Sequence, residues 1–201
     1  MNGVQTLSEF LRGAQPTISL PNWLSDPSTM ASRFAPTDEG RMAFAIELSR
    51  SNVTHGTGGP FGTTIFDLNT GRLLGVGVNR VVPTNDPTAH GEMVAIRLAC
   101  AFVEKFSLGQ EGLKVGLYTS AEPCGMCCTG VLWAGVSALF CAATTRDVEK
   151  IVGFDEGLKP RNWRYGLAHR GVEVASQLLR TQAVEVLQAY KDGGGAVYNG
   201  R

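Results

Sequence analysis

The chain has 201 residues, enough for one ordinary domain with a buried core, and its 18 basic residues balance 18 acidic ones. Proteins that live on a polyanion usually carry a basic excess, because phosphate neutralisation drives that binding, so the balance disfavours a nucleic-acid partner. No run approaches the roughly 20 apolar residues of a membrane span, and the opening MNGVQTLSEFLRGAQPT lacks the basic start and apolar stretch of a secretion signal; a cytoplasmic protein with no membrane contact is expected.

Residues 1–36, with Pro16, Pro21, Pro27 and Pro36, read as an N-terminal extension wrapped over the domain or partly loose, and 37–201 as a single domain. Thr37 or Asp38 is placed to cap a helix reaching about Ser51, with Met42, Phe44, Ala45, Ile46 and Leu48 on its buried side. The Gly-rich turn 56–62 leads to strand TTIFD, and a turn at Asn69–Gly71 returns the chain as its hairpin partner LLGVGVN. A second helix is expected from about Ala89 to Lys105, followed by a short apolar strand over 114–120. Glu122-Pro123 would open a third helix to about Gly135, since a proline at the first helical position gives up no needed N–H. Strand ALFCAA, helical pieces near 147–152 and 161–168, strand VEVAS and a helix over Leu178–Asp192 complete the order, with Gly193–Gly195 ending the last helix. Helices alternating with strands after an initial hairpin indicate an α/β domain with one mixed sheet covered on both faces.

Five cysteines, an odd number in a chain this long, do not make a disulfide framework. Cys100 and Cys141 sit in apolar segments as small core residues, whereas Cys124, Cys127 and Cys128 cluster and need a chemical reason. Cys124 and Cys127 are three apart, so both thiols emerge on one side of a first helical turn, where the helix end favours thiolate. An imidazole from His90, in Thr88-Ala89-His90-Gly91-Glu92, makes a Cys₂His set. Such a set suits one tetrahedral Zn²⁺ with a fourth position for water or hydroxide, the pattern of a catalytic rather than a structural site. Glu92 lies about 200° round a helix from His90, so it does not join the same ligand face. It can instead reach the open position as a proton acceptor, which a zinc ion weakened by two thiolates needs.

The order H-x-E then P-C-x-x-C is a known signature of zinc deaminases. A thioredoxin-like C-x-x-C would leave His90 and Glu92 unexplained and would lack the usual preceding aromatic. A closed structural site would need Cys128 as fourth ligand, but adjacent helical residues point about 100° apart. A zinc-stabilised interaction module without catalysis would have no use for Glu92.

At these residues the chain resembles the cytidine-deaminase-like superfamily, and within it the bacterial guanine deaminases. The resemblance runs over about residues 38–200 and is carried by GGPFG (58–62), GVNRVVPTNDPTAHGEMVAIR (77–97), YTSAEPCGMC (118–127), LWAGV (132–136) and GFDEG (153–157). It implies a three-layer α/β/α sandwich with a central five-stranded sheet and a homodimer. His90, Cys124 and Cys127 would hold the metal, with Glu92 as main proton shuttle and Glu156 as second acid. Asn79 would hydrogen-bond the purine ring, Phe61 and Trp133 would line the pocket, and Tyr198-Asn199 would close it. Gly91 stands where alanine is usual, implying a larger pocket floor, and Cys128 replaces a larger apolar residue. The implied reaction is guanine to xanthine plus ammonia. The same chemistry on an aminotriazine such as ammeline, a pterin, a modified purine or a nucleoside is the near alternative, and deamination of a tRNA adenosine is a more distant one. For the last, Lys159, Arg161, Arg164 and Arg170 form the one candidate RNA surface.

Overall fold

The computed structural model describes residues 17–110 and 112–199. The part of the N-terminal extension before residue 17 lies outside the described residues. Residues 17–36 contain a single 3₁₀ turn (Asn22–Leu24) and a short helix α1 (Pro27–Ala31), capped by the Asp26 side chain. Leu24 is buried in the domain core, and the Trp23 ring stacks on His55 at 5.5 Å.

Helix α2 (Asp38–Thr54) starts as its sequence requires, with the Thr37 hydroxyl accepting the Gly40 N–H and Asp38 and Glu39 in the first turn. Strands β1 (Gly62–Asp67) and β2 (Leu73–Val78) form the expected antiparallel hairpin. A one-turn helix α3 (Val81–Thr84) follows β2, ended by Asn85 in the left-handed conformation. Its four residues are too few to leave a periodic signal in the sequence.

Helix α4 (Gly91–Phe102) has His90 as N-cap, and strand β3 (Val115–Ala121) comes next. Helix α5 (Gly125–Trp133) begins two residues after Pro123. Pro123 is therefore not its first residue: Cys124 keeps an extended backbone as N-cap. Strand β4 (Ala138–Ala143) leads to α6 (Thr145–Asp147), opened by a reciprocal Thr144/Asp147 capping box and continued by a π-helical turn over Val148–Val152. Helix α7 (Trp163–Ala168), strand β5 (Glu173–Ala175) and helix α8 (Arg180–Asp192) complete the chain.

The sheet order is β2-β1-β3-β4-β5, antiparallel across the first three strands and parallel across β3, β4 and β5. Strand alternation divides the interior in two. Ile65, Leu117 and Leu139, neighbours in register, face a core shared with α4, α5 and α7; Phe66, Tyr118 and Phe140 face the other, against α2 and α8. This is the three-layer α/β/α arrangement, with a mixed five-stranded sheet in the middle. On the second face Tyr118 stacks on Phe140 at 4.4 Å and meets Phe66 edge-on, contacts worth about 0.5–1.5 kcal/mol each beyond area burial.

One close approach sets the site. A Cβ on Gly77 would stand 2.1 Å from the Gly91 carbonyl, so only glycine lets the start of α4 lie directly on β2. The beginning of β1 and the ends of β2 and β3 then share one edge of the sheet, and α4 and α5 both start there. Crevices outside the carboxyl ends of strands are where open α/β sheets hold ligands.

Candidate active site

His90 and Cys124 are both N-caps, with extended backbones (ψ 153° and 175°) and no capping hydrogen bond from their side chains. Each side chain turns instead toward the other helix. Cys127, one turn into α5, is fully buried beside them. A ring nitrogen of His90 and the two Sγ atoms all lie within 4.8 Å of one another, and the His90 Nδ1 is 3.6 Å from the Cys124 Sγ. Zinc–sulfur and zinc–nitrogen bonds of usual length at a tetrahedral angle separate the donor atoms by about 3.6–3.8 Å, so the set fits a zinc ion.

Proton sharing in the set favours a cation as well. The hydrogen bond from Cys127 draws the Cys124 thiol down to about 4, against burial and with His90 assisting. That same hydrogen bond, together with burial, holds the Cys127 thiol well up. Burial alone would lower His90, but its bond to Cys124 and the charge there raise it overall. One thiolate is thus ready, and a metal replaces the proton of the other.

A cavity of about 430 Å³ opens beside the triad, within the range of small-molecule sites. His90, Cys124, Glu92, Glu156, Asn79, Phe61, Gly91 and Tyr198 all line it. Glu92 is at the second position of α4, almost wholly buried, and touches the Cys127 thiol. Burial raises its carboxyl, and the Cys124 thiolate adds to the effect. Glu156 comes from the irregular segment after the π turn, whose backbone is pinned where the Gly125 N–H donates to the Glu156 carbonyl at 3.1 Å. Burial and the Cys124 charge push its carboxyl up to about 8, with Lys159 opposing. Asn79 directly follows β2 and is 1% exposed; its Oδ1 accepts the Val81 N–H at 3.3 Å. The Tyr198 hydroxyl is buried and nears the Asn79 carboxamide without a hydrogen bond of normal geometry. Asn199 holds the tail down, accepting from the Asp155 N–H at 2.8 Å and donating to the Gly153 carbonyl at 3.0 Å.

Trp133 is the exception. It ends α5, nine residues beyond Cys124 and so about 13 Å along the helix, is 81% exposed, and is not part of the cavity wall. The aromatic that stands in the wall is Phe154, in GFDEG, packed against Phe61 at 5.4 Å and Tyr198 at 4.7 Å. A hydrophobic residue two places before a singled-out acid was the available signal. Gly91 lines the cavity, but a Cβ there would point at the sheet, 3.2 Å from the Thr63 hydroxyl, so its effect is on how close α4 lies rather than on the pocket floor.

Glu122 also lines the cavity, a place that its position before Pro123 does not signal in the sequence. Its carboxylate accepts the Thr145 N–H and hydroxyl, both at 3.0 Å, and pairs with Arg164 and Lys159. Lys159, only 8% exposed, also donates to the Thr145 hydroxyl and lies over the Trp163 ring. These contacts fasten the segment after Glu156 to the end of β3.

This geometry defines a metal-dependent deaminase. The profile of the cytidine and deoxycytidylate deaminase zinc-binding region matches residues 36–143, and the chain belongs to that family. It is accordingly a zinc-dependent hydrolase acting on C–N bonds, with His90, Cys124 and Cys127 as candidate ligands. The chain is 41% identical over 112 residues to the guanine deaminase of Bacillus subtilis, covering 56% of this chain and 67% of that one. The solved structure of guanine deaminase from Nitrosomonas europaea superposes with a TM-score of 0.82 at 41% identity, over 89% of this chain and 97% of the other. A tRNA-specific adenosine deaminase of Agrobacterium fabrum is 31% identical over 121 residues, covering 60% and 73% of the two chains.

Proposed function

We propose that this protein converts guanine and water to xanthine and ammonia. The observation that carries the reading is the convergence of Asn79, Glu92 and Glu156 on one cavity beside the metal triad. The similarity to two guanine deaminases supports the choice of ring.

Zinc, when bound by His90, Cys124 and Cys127, supplies a Lewis acid that makes water a nucleophile near neutral pH. The carboxamide of Asn79 offers a donor and an acceptor, which suits the lactam edge of the purine. Phe61 and Phe154 supply apolar wall for the ring, and Tyr198 brings a hydroxyl without a protein partner to the same space. Glu92 accepts the proton of the attacking water and passes it to the ring nitrogen next to C2. Its raised affinity for protons matches that task better than an exposed carboxylate would. Glu92, emptied by that transfer, takes the remaining proton from the new C2 hydroxyl and, with Glu156, delivers it to the amine as the C2–N bond breaks and the C2 carbonyl forms, so ammonia rather than amide departs.

A tRNA substrate fits less well. Of the basic residues that could face RNA, Lys159 is buried on Glu122, and Arg164 pairs with Glu122 and bonds Ser176. The described residues include no helix long and apolar enough to cross a membrane. A cytoplasmic homodimer working in purine breakdown is the setting that accords with this chemistry.

The test is ammonia release by zinc-loaded protein from guanine, guanosine, adenine, cytosine, cytidine and ammeline in parallel. Turnover of guanine is expected, with a fall of about 10²–10⁴-fold in the zinc-retaining Glu92→Gln variant. Turnover of another ring alone would reassign the substrate, and an active Glu92→Gln protein would refute the mechanism.

A further inference from the structure

Asn79 does not stand by itself. Its backbone carbonyl accepts a hydrogen bond of 3.0 Å from the side-chain amide of Asn52, on α2, and Asn52 is completely buried. The second hydrogen of that amide goes to the carbonyl of Gly59 at 2.8 Å. Gly59 is itself against the site: a Cβ there would lie 2.4 Å from the Tyr198 hydroxyl and 3.2 Å from the Asn79 Oδ1. One side chain therefore grips both backbone segments behind the ring-binding space.

Asn52 is in turn held from outside. The Thr57 hydroxyl donates to its Oδ1 at 2.8 Å and accepts the indole N–H of Trp23 at 2.9 Å. Trp23 belongs to the segment ahead of α2. A second tether runs from the same segment, where the carbonyl of Ser19 accepts the Arg80 Nε at 3.1 Å. Arg80 directly follows Asn79, and its guanidinium also donates to the Thr57 carbonyl. Every donor and acceptor of the Asn52 carboxamide is thus engaged, and a satisfied buried network of this kind holds its members in one arrangement.

We propose that Asn52, held by Thr57 and Trp23, is a positioning residue that sets Asn79 for the purine ring, so that the segment ahead of α2 takes part in substrate recognition. The inference rests on the reading of Asn79 as the group that meets the ring. Asn52 makes no contact with substrate in this scheme; it acts by fixing the β2 end and the Gly59 turn relative to each other. A residue acting that way affects ground-state and transition-state binding together, and so raises KM more than it lowers kcat.

The experiment is steady-state guanine deamination by the full chain as wild type, Trp23→Phe, Thr57→Val, Asn79→Ala and Trp23→Phe/Asn79→Ala, with zinc content and Tm measured on each. Trp23→Phe keeps a ring to stack on His55 and removes the indole N–H. Thr57→Val removes the hydroxyl while keeping the shape. Each is expected to raise KM about three- to tenfold, the range of one lost neutral hydrogen bond, with kcat within about twofold and zinc retained. In the Asn79→Ala background the Trp23→Phe effect on KM is expected to disappear, because the group being positioned is gone. An equal KM factor in both backgrounds, or a lowered Tm with unchanged KM for both Trp23→Phe and Thr57→Val, would overturn the relay while leaving the substrate reading intact. Wild-type protein inactive on guanine, or Asn79→Ala with an unaltered KM, would overturn the reading beneath it.

Discussion

Replacing Gly59 with alanine tests how tightly the tail closes the site. The new methyl would stand 2.4 Å from the Tyr198 hydroxyl, against an ordinary contact of 3.4 Å or more, so the tyrosine tip must retreat by about 1 Å. The backbone is no obstacle, because Gly59 is not among the residues with positive φ. Tyr198 packs on Phe154 at 4.7 Å, so the displacement disturbs the cavity wall they share. Displacement of about 1 Å at a positioned group can cost on the order of 10²-fold, so KM for guanine should rise tenfold to about a hundredfold. Global stability should change little, since the clash falls on the far end of one side chain. Tyr198→Phe removes the oxygen that the methyl meets. In that background the remaining close contact is Asn79 Oδ1 at 3.2 Å, which needs a shift of only a few tenths of an ångström. Gly59→Ala should then raise KM by less than about threefold. Initial rates of ammonia release against guanine concentration, with thermal melts of all four proteins, decide the matter. Equal losses from Gly59→Ala in both backgrounds would refute the argument.

Glu156→Gln should lower kcat by at least about tenfold with zinc retained, because a carboxamide cannot transfer a proton to the leaving amine; metal analysis beside single-turnover rates checks this. Chelation should abolish activity and zinc alone should restore it. As Cys127 gives up a proton on binding, zinc affinity measured by competition should weaken about tenfold or more for each unit of pH lost below neutrality. Asp147 is held down at about 2 by Arg180, against burial and with the Thr144 bonds assisting; Arg180 donates to it at 2.5 and 2.8 Å. Its folded pKa lies below the ordinary 3.8, so this pair stabilises the fold above about pH 4 and the contribution is lost as pH falls toward 2. Asp147→Asn should cost about 1–2 kcal/mol at pH 7, after discounting for the half-exposed Arg180, and the gap to wild type should narrow under acid. Urea melts of metal-stripped proteins at several pH values measure it.

The chemistry of this chain is legible in the sequence because it is local. His90 and Glu92 are two apart, Cys124 and Cys127 three apart, and each pair opens a helix, so spacing alone places the groups. Alternation along β1, β3 and β4 likewise marks the two faces of the sheet, and the Thr37 cap marks the start of α2. Helix ends were less legible: α4 stops at Phe102 rather than near Lys105, and Pro123 precedes an N-cap instead of starting a turn. In both, the side chains suit either position, and packing against neighbouring elements decides.

Only the tertiary structure decided which other residues share the cavity. Trp133 and Phe154 are both large apolar residues near a motif, and no local pattern separates them; the direction of α5 carries one out to solvent, and the π turn returns the other to the wall. Glu122 joins Lys159 and Arg164 across more than 30 residues, and Asn52 reaches Asn79 across 27. A polar side chain read in sequence has no partner until folding brings one to it, and burial then makes that partner obligatory. Metal-binding spacing is a property of a helical turn, whereas the shape around the metal is a property of the whole sheet and the tail that crosses it.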